Sequence, residues 1–310
     1  MNLKKETKKL SHILIYADKN LPQEGVWAFC TNVTCENPEI RSNHLCYDNL
    51  SGNETGPLFD KYLQLFKEDG SSVFLISDSE EAVMQAGKYC VASAALLTDK
   101  NRDRSFGQVL YCIEDIGFMD LARIERMWMR YHNIPWTITA TDRLVIREQT
   151  LDDIDALYDV YSDSEAARYT EDLYEDRLQE EEYLRQYIDN QYRFYEYGIW
   201  ALTLKKDGTF IGRAGISLRK GYDLPEIGFI IGSPYRRMGY AKEAVKAIME
   251  YGRAELGFDE YMAFTRPQNK AAVGLLTSLG FTCTGYTLIS GYDHGMYTCR
   301  MGGQPLTKQQ

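Results

Sequence analysis

The sequence contains no run of about 18 uncharged apolar residues, the length a helix needs to span a bilayer. Its opening MNLKKETKKLSHILIYAD carries lysines but no apolar stretch long enough for export. The expectation is a cytoplasmic protein without a membrane partner. There is no excess of positive charge either: 45 acidic against 35 basic residues leave a formal charge of −10, with pI near 5.1. That balance argues against a general nucleic-acid binder. Seven cysteines, odd in number and scattered, do not make a disulfide framework. The densest group, Cys30, Cys35, His44 and Cys46, lacks a paired C-x2-C knuckle, so no metal site is expected. Low-complexity and collagenous composition are absent as well.

What remains is ordinary globular material. Hydrophobic residues at 44% and charged residues at 26% suit packed cores, and 310 residues suit two domains. In the first third, the strand-like runs HILIYAD, SVFLISDS, VASAALLT and VLYCIEDI alternate with the helical stretches KYLQLFKEDG and EEAVMQAG. The alternation predicts a small parallel, Rossmann-like α/β domain. A helix over DLARIERMWMRYH follows and stops before Ile134-Pro135. The boundary is expected near Trp136, giving domains 1–136 and 137–310.

From Thr141 the pattern restarts with a strand, DRLVIREQ, and a helix capped by Thr150. A second helix, QEEEYLRQYIDNQYRFYEYG, leads to two strands joined at Asp207-Gly208, a strong hairpin signal. Next comes EIGFIIGSPYRRMGYAKEAVKAIMEYG, residues 226–252. Here an apolar strand passes through a turn into paired arginines, one glycine and a helix. Ala241, Ala244, Val245, Ile248 and Gly252 form the helix's packing stripe. The loop RRMGYA therefore presents the unsatisfied N–H groups of a docked helix, which favour an anion such as a pyrophosphate. A further strand, a helix over NKAAVGLLTSLG and two final strands complete an α/β domain with a mostly antiparallel sheet.

Arg236-Arg237-Met238-Gly239-Tyr240-Ala241 resembles the R/Q-x-x-G-x-G/A signature of the GNAT acetyltransferases. TRPQNKAAVGLLTSLGF resembles that family's N-x-x-[SA]…LGF segment, and TDRLVIREQTLDDIDALYDVYSDSEAARY its first strand and helix. The branch it most resembles includes the ribosomal-protein N-acetyltransferases. The resemblance implies acetyl-CoA, or another acyl-CoA, as cosubstrate and an amine of a small molecule or peptide as acceptor. It implies that the backbone of Arg237, Met238, Gly239, Tyr240 and Ala241 holds the pyrophosphate, with Arg236 anchoring the loop. The backbone of Phe229 and Ile231 would run along the pantetheine arm, with Asn269 on its other side. Glu226 is the candidate base that takes the acceptor's proton. Many relatives carry a tyrosine as general acid on the last helix; Leu276 stands there, with Tyr292 and Tyr297 as substitutes. Cys299 lacks any neighbour that would activate it as a nucleophile.

Two other readings follow from the same residues. Leu276 in the acid position allows a non-catalytic acyl-CoA sensor. The acid-rich EDLYEDRLQEEEYL reads first as a solvated helix start and second as an attractor for a cationic amine. In the first domain, Tyr16-Ala17-Asp18-Lys19-Asn20-Leu21 faintly resembles the D-x-D-G-T-L loop of haloacid-dehalogenase-like proteins. Tyr16 stands where the nucleophilic aspartate belongs, which implies lost phosphatase chemistry and leaves small-ligand or phosphate binding as an alternative role for that domain.

Overall fold

The computed structural model describes residues 8–20, 23–47, 57–107, 109–162, 169 and 173–302. The chain divides into two compact units, Met1–Ile134 and Pro135–Gln310.

The first unit runs β1 (His12–Asp18), α1 (Gln23–Glu36), β2 (Arg41–Tyr47), α2 (Pro57–Asp69), β3 (Val73–Ser77), α3 (Glu80–Lys88), β4 (Ala92–Leu96), β5 (Tyr111–Ile113) and α4 (Leu121–Tyr131). All strand pairs are parallel, in the order β2-β1-β3-β4-β5. This is the flavodoxin-like order of open α/β sheets. The central strands are buried on both faces, which is why β1 and β3 read as unbroken apolar runs. Alternate residues feed two cores: Ile13, Ile15, Phe74 and Ile76 pack with α1 and α4, and Leu14, Tyr16 and Leu75 pack with α2 and α3.

Two elements here escape the sequence reading. The edge strand β2, RSNHLCY, has half-buried and exposed residues and no apolar run. The helix α1 carries a glycine and β-branched residues that lower helix propensity. Tyr16 is fully buried against Phe59, with ring centroids 4.9 Å apart, while Leu21 lies outside the described residues.

The second unit runs β6 (Thr137–Ala140), β7 (Leu144–Arg147), α5 (Ile154–Tyr161), α6 (Arg177–Tyr187), β8 (Ile199–Leu204), β9 (Phe210–Ser217), β10 (Glu226–Ile231), α7 (Tyr240–Leu256), β11 (Glu260–Thr265), α8 (Lys270–Ser278), β12 (Thr282–Ile289) and β13 (Tyr292–Arg300). Its eight strands are ordered β12-β13-β11-β10-β9-β8-β7-β6. Every neighbouring pair is antiparallel except β10 and β11. The expectation lacked β6, whose four residues TITA are too few to show a period. Thr150 forms a capping box with Asp153 as the chain enters the turn before α5. The β8–β9 hairpin turns at Gly208, with φ of +75°.

Trp200 is fully buried in this unit's core, edge-on to Tyr251. In α7, Ala244, Val245, Ile248, Met249 and Gly252 are buried. Tyr261 donates its hydroxyl to the Met249 carbonyl at 2.8 Å. A Cβ at position 252 would sit 2.3 Å from that hydroxyl oxygen, so only glycine fits.

One irregularity shapes the unit. Beyond Tyr187 the α6 chain continues as a π-helical turn over Ile188–Tyr192. Tyr187 and Tyr192, five residues apart, meet edge to face at 5.4 Å. Both hold the peptide of Ile199: its N–H donates to the Tyr187 hydroxyl at 2.7 Å, and the Tyr192 hydroxyl donates to its carbonyl at 2.6 Å. Burial pushes the Tyr187 phenol up to about 12, so it remains neutral.

Candidate active site

β10 and β11 touch in register only at Glu226 and Met262. Past that pair they part, and two cavities adjoin the opening.

The first cavity, about 680 Å³, is lined by β10 from Phe229 to Ile231, by the loop before α7 and by the start of α8. Arg236, Arg237, Gly239, Tyr240 and Ala241 line it, and so does Asn269; Met238, among the expected contacts, does not. The loop is built to hold one shape. Arg236 donates from Nε to the Ile231 carbonyl at 3.0 Å. Arg237 and Gly239 both have positive φ, +61° and +84°, directly before α7 begins, a left-handed backbone of the kind found in anion-binding nests. Asn269 caps α8, its Oδ1 accepting from the Ala272 N–H at 3.1 Å.

Sequence reasoning missed Arg143, which ties this loop to the far side of the sheet. Its Nη1 donates to the Met238 carbonyl at 2.9 Å, its Nε donates to Glu243 at 2.7 Å, and its guanidinium lies 4.4 Å over the Tyr240 ring. Burial opposes ionisation of Glu243, yet hydrogen bonds from Thr141 and Arg143 hold its carboxyl below the ordinary carboxylate range. Glu243, in the first turn of α7, is thus a buttress and not a solvated surface acid. Position 143 is one hundred residues from its partner, so no local pattern signals the pairing.

The second cavity, about 700 Å³, lies along the other stretch of β10. Glu226 lines it, 9% exposed, and accepts from Arg219 Nε at 2.7 Å and Nη2 at 3.2 Å. Tyr292 and Leu276 also line this cavity, whereas Tyr297 lines neither. His294, unanticipated from sequence, lines it too. Its Nδ1 is 2.9 Å from the Tyr292 carbonyl; a carbonyl only accepts, so Nδ1 carries the proton and Nε2 keeps a lone pair in the neutral ring. Phe229, Ile230, Asn269, Ala272 and Tyr169 line both cavities.

The acid-rich segment is mostly local structure. Asp176 caps α6, Glu181 pairs with Arg177 and Glu182 with Arg185. Glu180 alone turns inward, 2% exposed, to line the second cavity, its Oε2 accepting from the Tyr174 N–H. Glu171 and Asp172 lie outside the described residues. Cys299 lines neither cavity, and burial pushes its thiol up, away from the thiolate. Among the described residues no set of three or more His, Cys, Asp or Glu side chains is placed to hold a metal, and no helix is long and apolar enough to cross a membrane.

β10 splays from its parallel neighbour β11 and leads through a positive-φ loop into α7, the arrangement that the GNAT resemblance leads one to expect. Residues 143–282 match the acetyltransferase (GNAT) domain, and the second unit carries an N-acetyltransferase domain of that family. The chain is 27% identical over 154 residues to the uncharacterized N-acetyltransferase p20 of Bacillus licheniformis, covering 49% of this chain and 85% of that protein. It is 28% identical over 165 residues to the uncharacterized N-acetyltransferase YoaA of Bacillus subtilis, covering 51% and 90%. Among solved structures, a GNAT-family acetyltransferase from Bacillus anthracis aligns at 22% identity and a TM-score of 0.46, over 53% of this chain and 98% of that one.

Proposed function

We propose that the protein transfers an acetyl group from acetyl-CoA to a primary amine of a small molecule or peptide. The observation that carries this reading is the junction of the two cavities at Phe229, Ile230 and Asn269. One cavity suits the cofactor, the other the acceptor, and the thioester would lie where they meet. Backbone N–H groups of Arg237, Gly239, Tyr240 and Ala241 would hold the pyrophosphate, with the dipole of α7 behind them. Phe229 and Ile231 would offer backbone to the pantetheine arm. The amide nitrogen of Asn269, whose oxygen is committed to capping α8, would donate to it from across the opening.

An acceptor ammonium must lose a proton before its nitrogen attacks. Glu226 would take that proton directly or through water, since a carboxylate that accepts from Arg219 still has free lone pairs. The amine nitrogen would then bond to the thioester carbon, and the resulting oxyanion would be stabilised by N–H groups of β10. Collapse would break the carbon–sulfur bond, and the second proton on nitrogen would pass through solvent to the departing sulfur. The leaving thiol, with a pKa near that of cysteine at about 8.5, departs readily as thiolate, so the leucine at 276 is compatible with turnover. Tyr292, on the same cavity, is the available proton donor.

Incubating the full chain with acetyl-CoA and an amine panel, and following free thiol together with the mass of each amine, tests the proposal. An acetylated amine formed in step with thiol is the expected result. Tight acetyl-CoA binding with no product from any amine would favour a non-catalytic acyl-CoA sensor.

A further inference from the structure

Three arginines line the acceptor cavity. On β9, Arg213 pairs with Ile230 of β10, and Ser217 pairs with Glu226. Side chains alternate along strands, so Arg213, Glu226 and Ile230 share one face of the sheet. Arg219 follows the end of β9 and Arg266 the end of β11, where that strand has parted from β10, and both reach the same cavity.

The charges there do not balance. Arg219 is satisfied by Glu226 in a two-point ion pair. Arg213 donates from Nε and Nη2 to the Tyr161 hydroxyl and has no carboxylate partner among the described residues. Arg266 lies with its guanidinium carbon 3.6 Å over the Tyr292 ring, and its buried Nε has no protein partner. The remaining carboxylate on the cavity, Glu180, takes the Tyr174 N–H. Stacking on a ring occupies the face of a guanidinium and leaves its in-plane N–H groups directed outward, which is the geometry that receives a carboxylate at two points. Both residues are half-buried, and a partly desolvated cation without a counter-charge gains from a ligand that supplies one.

We infer that the acceptor is an amine bearing a carboxylate, such as an amino acid or a short peptide with a free C-terminus, and that Arg266, assisted by Arg213, binds that carboxylate. This rests on the acyltransferase reading of the same cavity.

The test uses matched pairs, amino acids and dipeptides each against its C-terminal amide, with rates expressed per free-base amine. Carboxylates should exceed their amides in kcat/KM by about 10-fold or more, the usual worth of a charge-assisted hydrogen bond. Arg266→Gln should erase that preference, bringing kcat/KM for the carboxylates down to that of the amides with the Kd for acetyl-CoA within about threefold, and Arg266→Lys should restore part of it. Equal rates for carboxylates and amides overturn the inference, as does an Arg266→Gln variant that slows both alike. The same pairs titrated by calorimetry into CoA-loaded protein decide the matter independently of turnover. A carboxylate preference in binding without any thiol release would uphold the anion site and reject the transferase reading; turnover without preference would do the reverse.

Discussion

Glu226 combines two features that are hard to reconcile in a simple surface acid: it is nearly buried at the start of β10, and both its oxygens face Arg219. Glu226→Gln keeps the size and one acceptor for Arg219 but cannot take a proton. Turnover should fall by about 10²–10⁴-fold with acetyl-CoA affinity nearly unchanged, and the acidic limb of the kcat/KM profile should vanish. An unaltered rate and profile would remove the base role from Glu226 and leave a water chain or another group of the same cavity to fill it. A second titrating side chain bears on stability. Desolvation by burial, then the charge of Lys8, lower His132 from 6.5 to about 4. The unfolded chain thus binds the proton more readily than the folded one. The stability this group contributes is complete above about pH 6.5 and is lost as pH falls toward 4. His132→Gln does not titrate, so the wild type should lose thermal midpoint relative to that variant between pH 7 and 4.5. A constant gap across that range would show that the ring's burial does not govern its protonation.

The loop between β10 and α7 owes its form to backbone as much as to side chains. Gly239 sits at φ +84° with only the Arg143 guanidinium near the place of its missing Cβ, at 3.4 Å. Gly239→Val forces a β-branched residue into the left-handed region, at a cost of about 1–2 kcal/mol. The variant should stay folded and lose acetyl-CoA affinity, because the N–H groups that would meet the pyrophosphate move with the backbone. Calorimetry that finds unchanged affinity in a folded variant would remove the cofactor from this loop. The loop's composition was readable from RRMGYA alone, since paired cations, a glycine and a helix start follow each other directly. The π turn after α6 was not. Its residues IDNQY continue the helical pattern, and only the demand that Tyr187 and Tyr192 both reach Ile199 explains the extra residue in the turn.

Every residue lining the two cavities comes from the second unit. We expect a chain beginning at Pro135 to fold and bind acetyl-CoA within about threefold of the full protein. The apolar face of α4 poses no obstacle, because Leu121, Ile124 and Trp128 are packed in the first unit's own core. A soluble, folded fragment that fails to bind would place part of the cofactor site in residues 1–134.

The sequence was sufficient wherever a physical requirement is local. Helical spacing of small residues put α7 on the sheet, the Asp207-Gly208 turn set the hairpin, and the glycine-bearing loop at a helix start lines a cavity as expected of a binding loop. Three short motifs in order carried the GNAT resemblance for the same reason, since each is a contiguous piece of backbone with one job. What the sequence could not specify depends on strands and loops distant along the chain becoming neighbours. Arg143 buttresses a loop 95 residues away. Glu180 leaves an otherwise solvated acidic run because one position in four faces the sheet. Arg213 and Arg266 meet one cavity only because β9 and β11 flank β10, which brings residues 53 positions apart to either side of it. The proposed preference for a carboxylate-bearing amine rests on that summed charge, a property of the assembled cavity that no single segment of the chain contains.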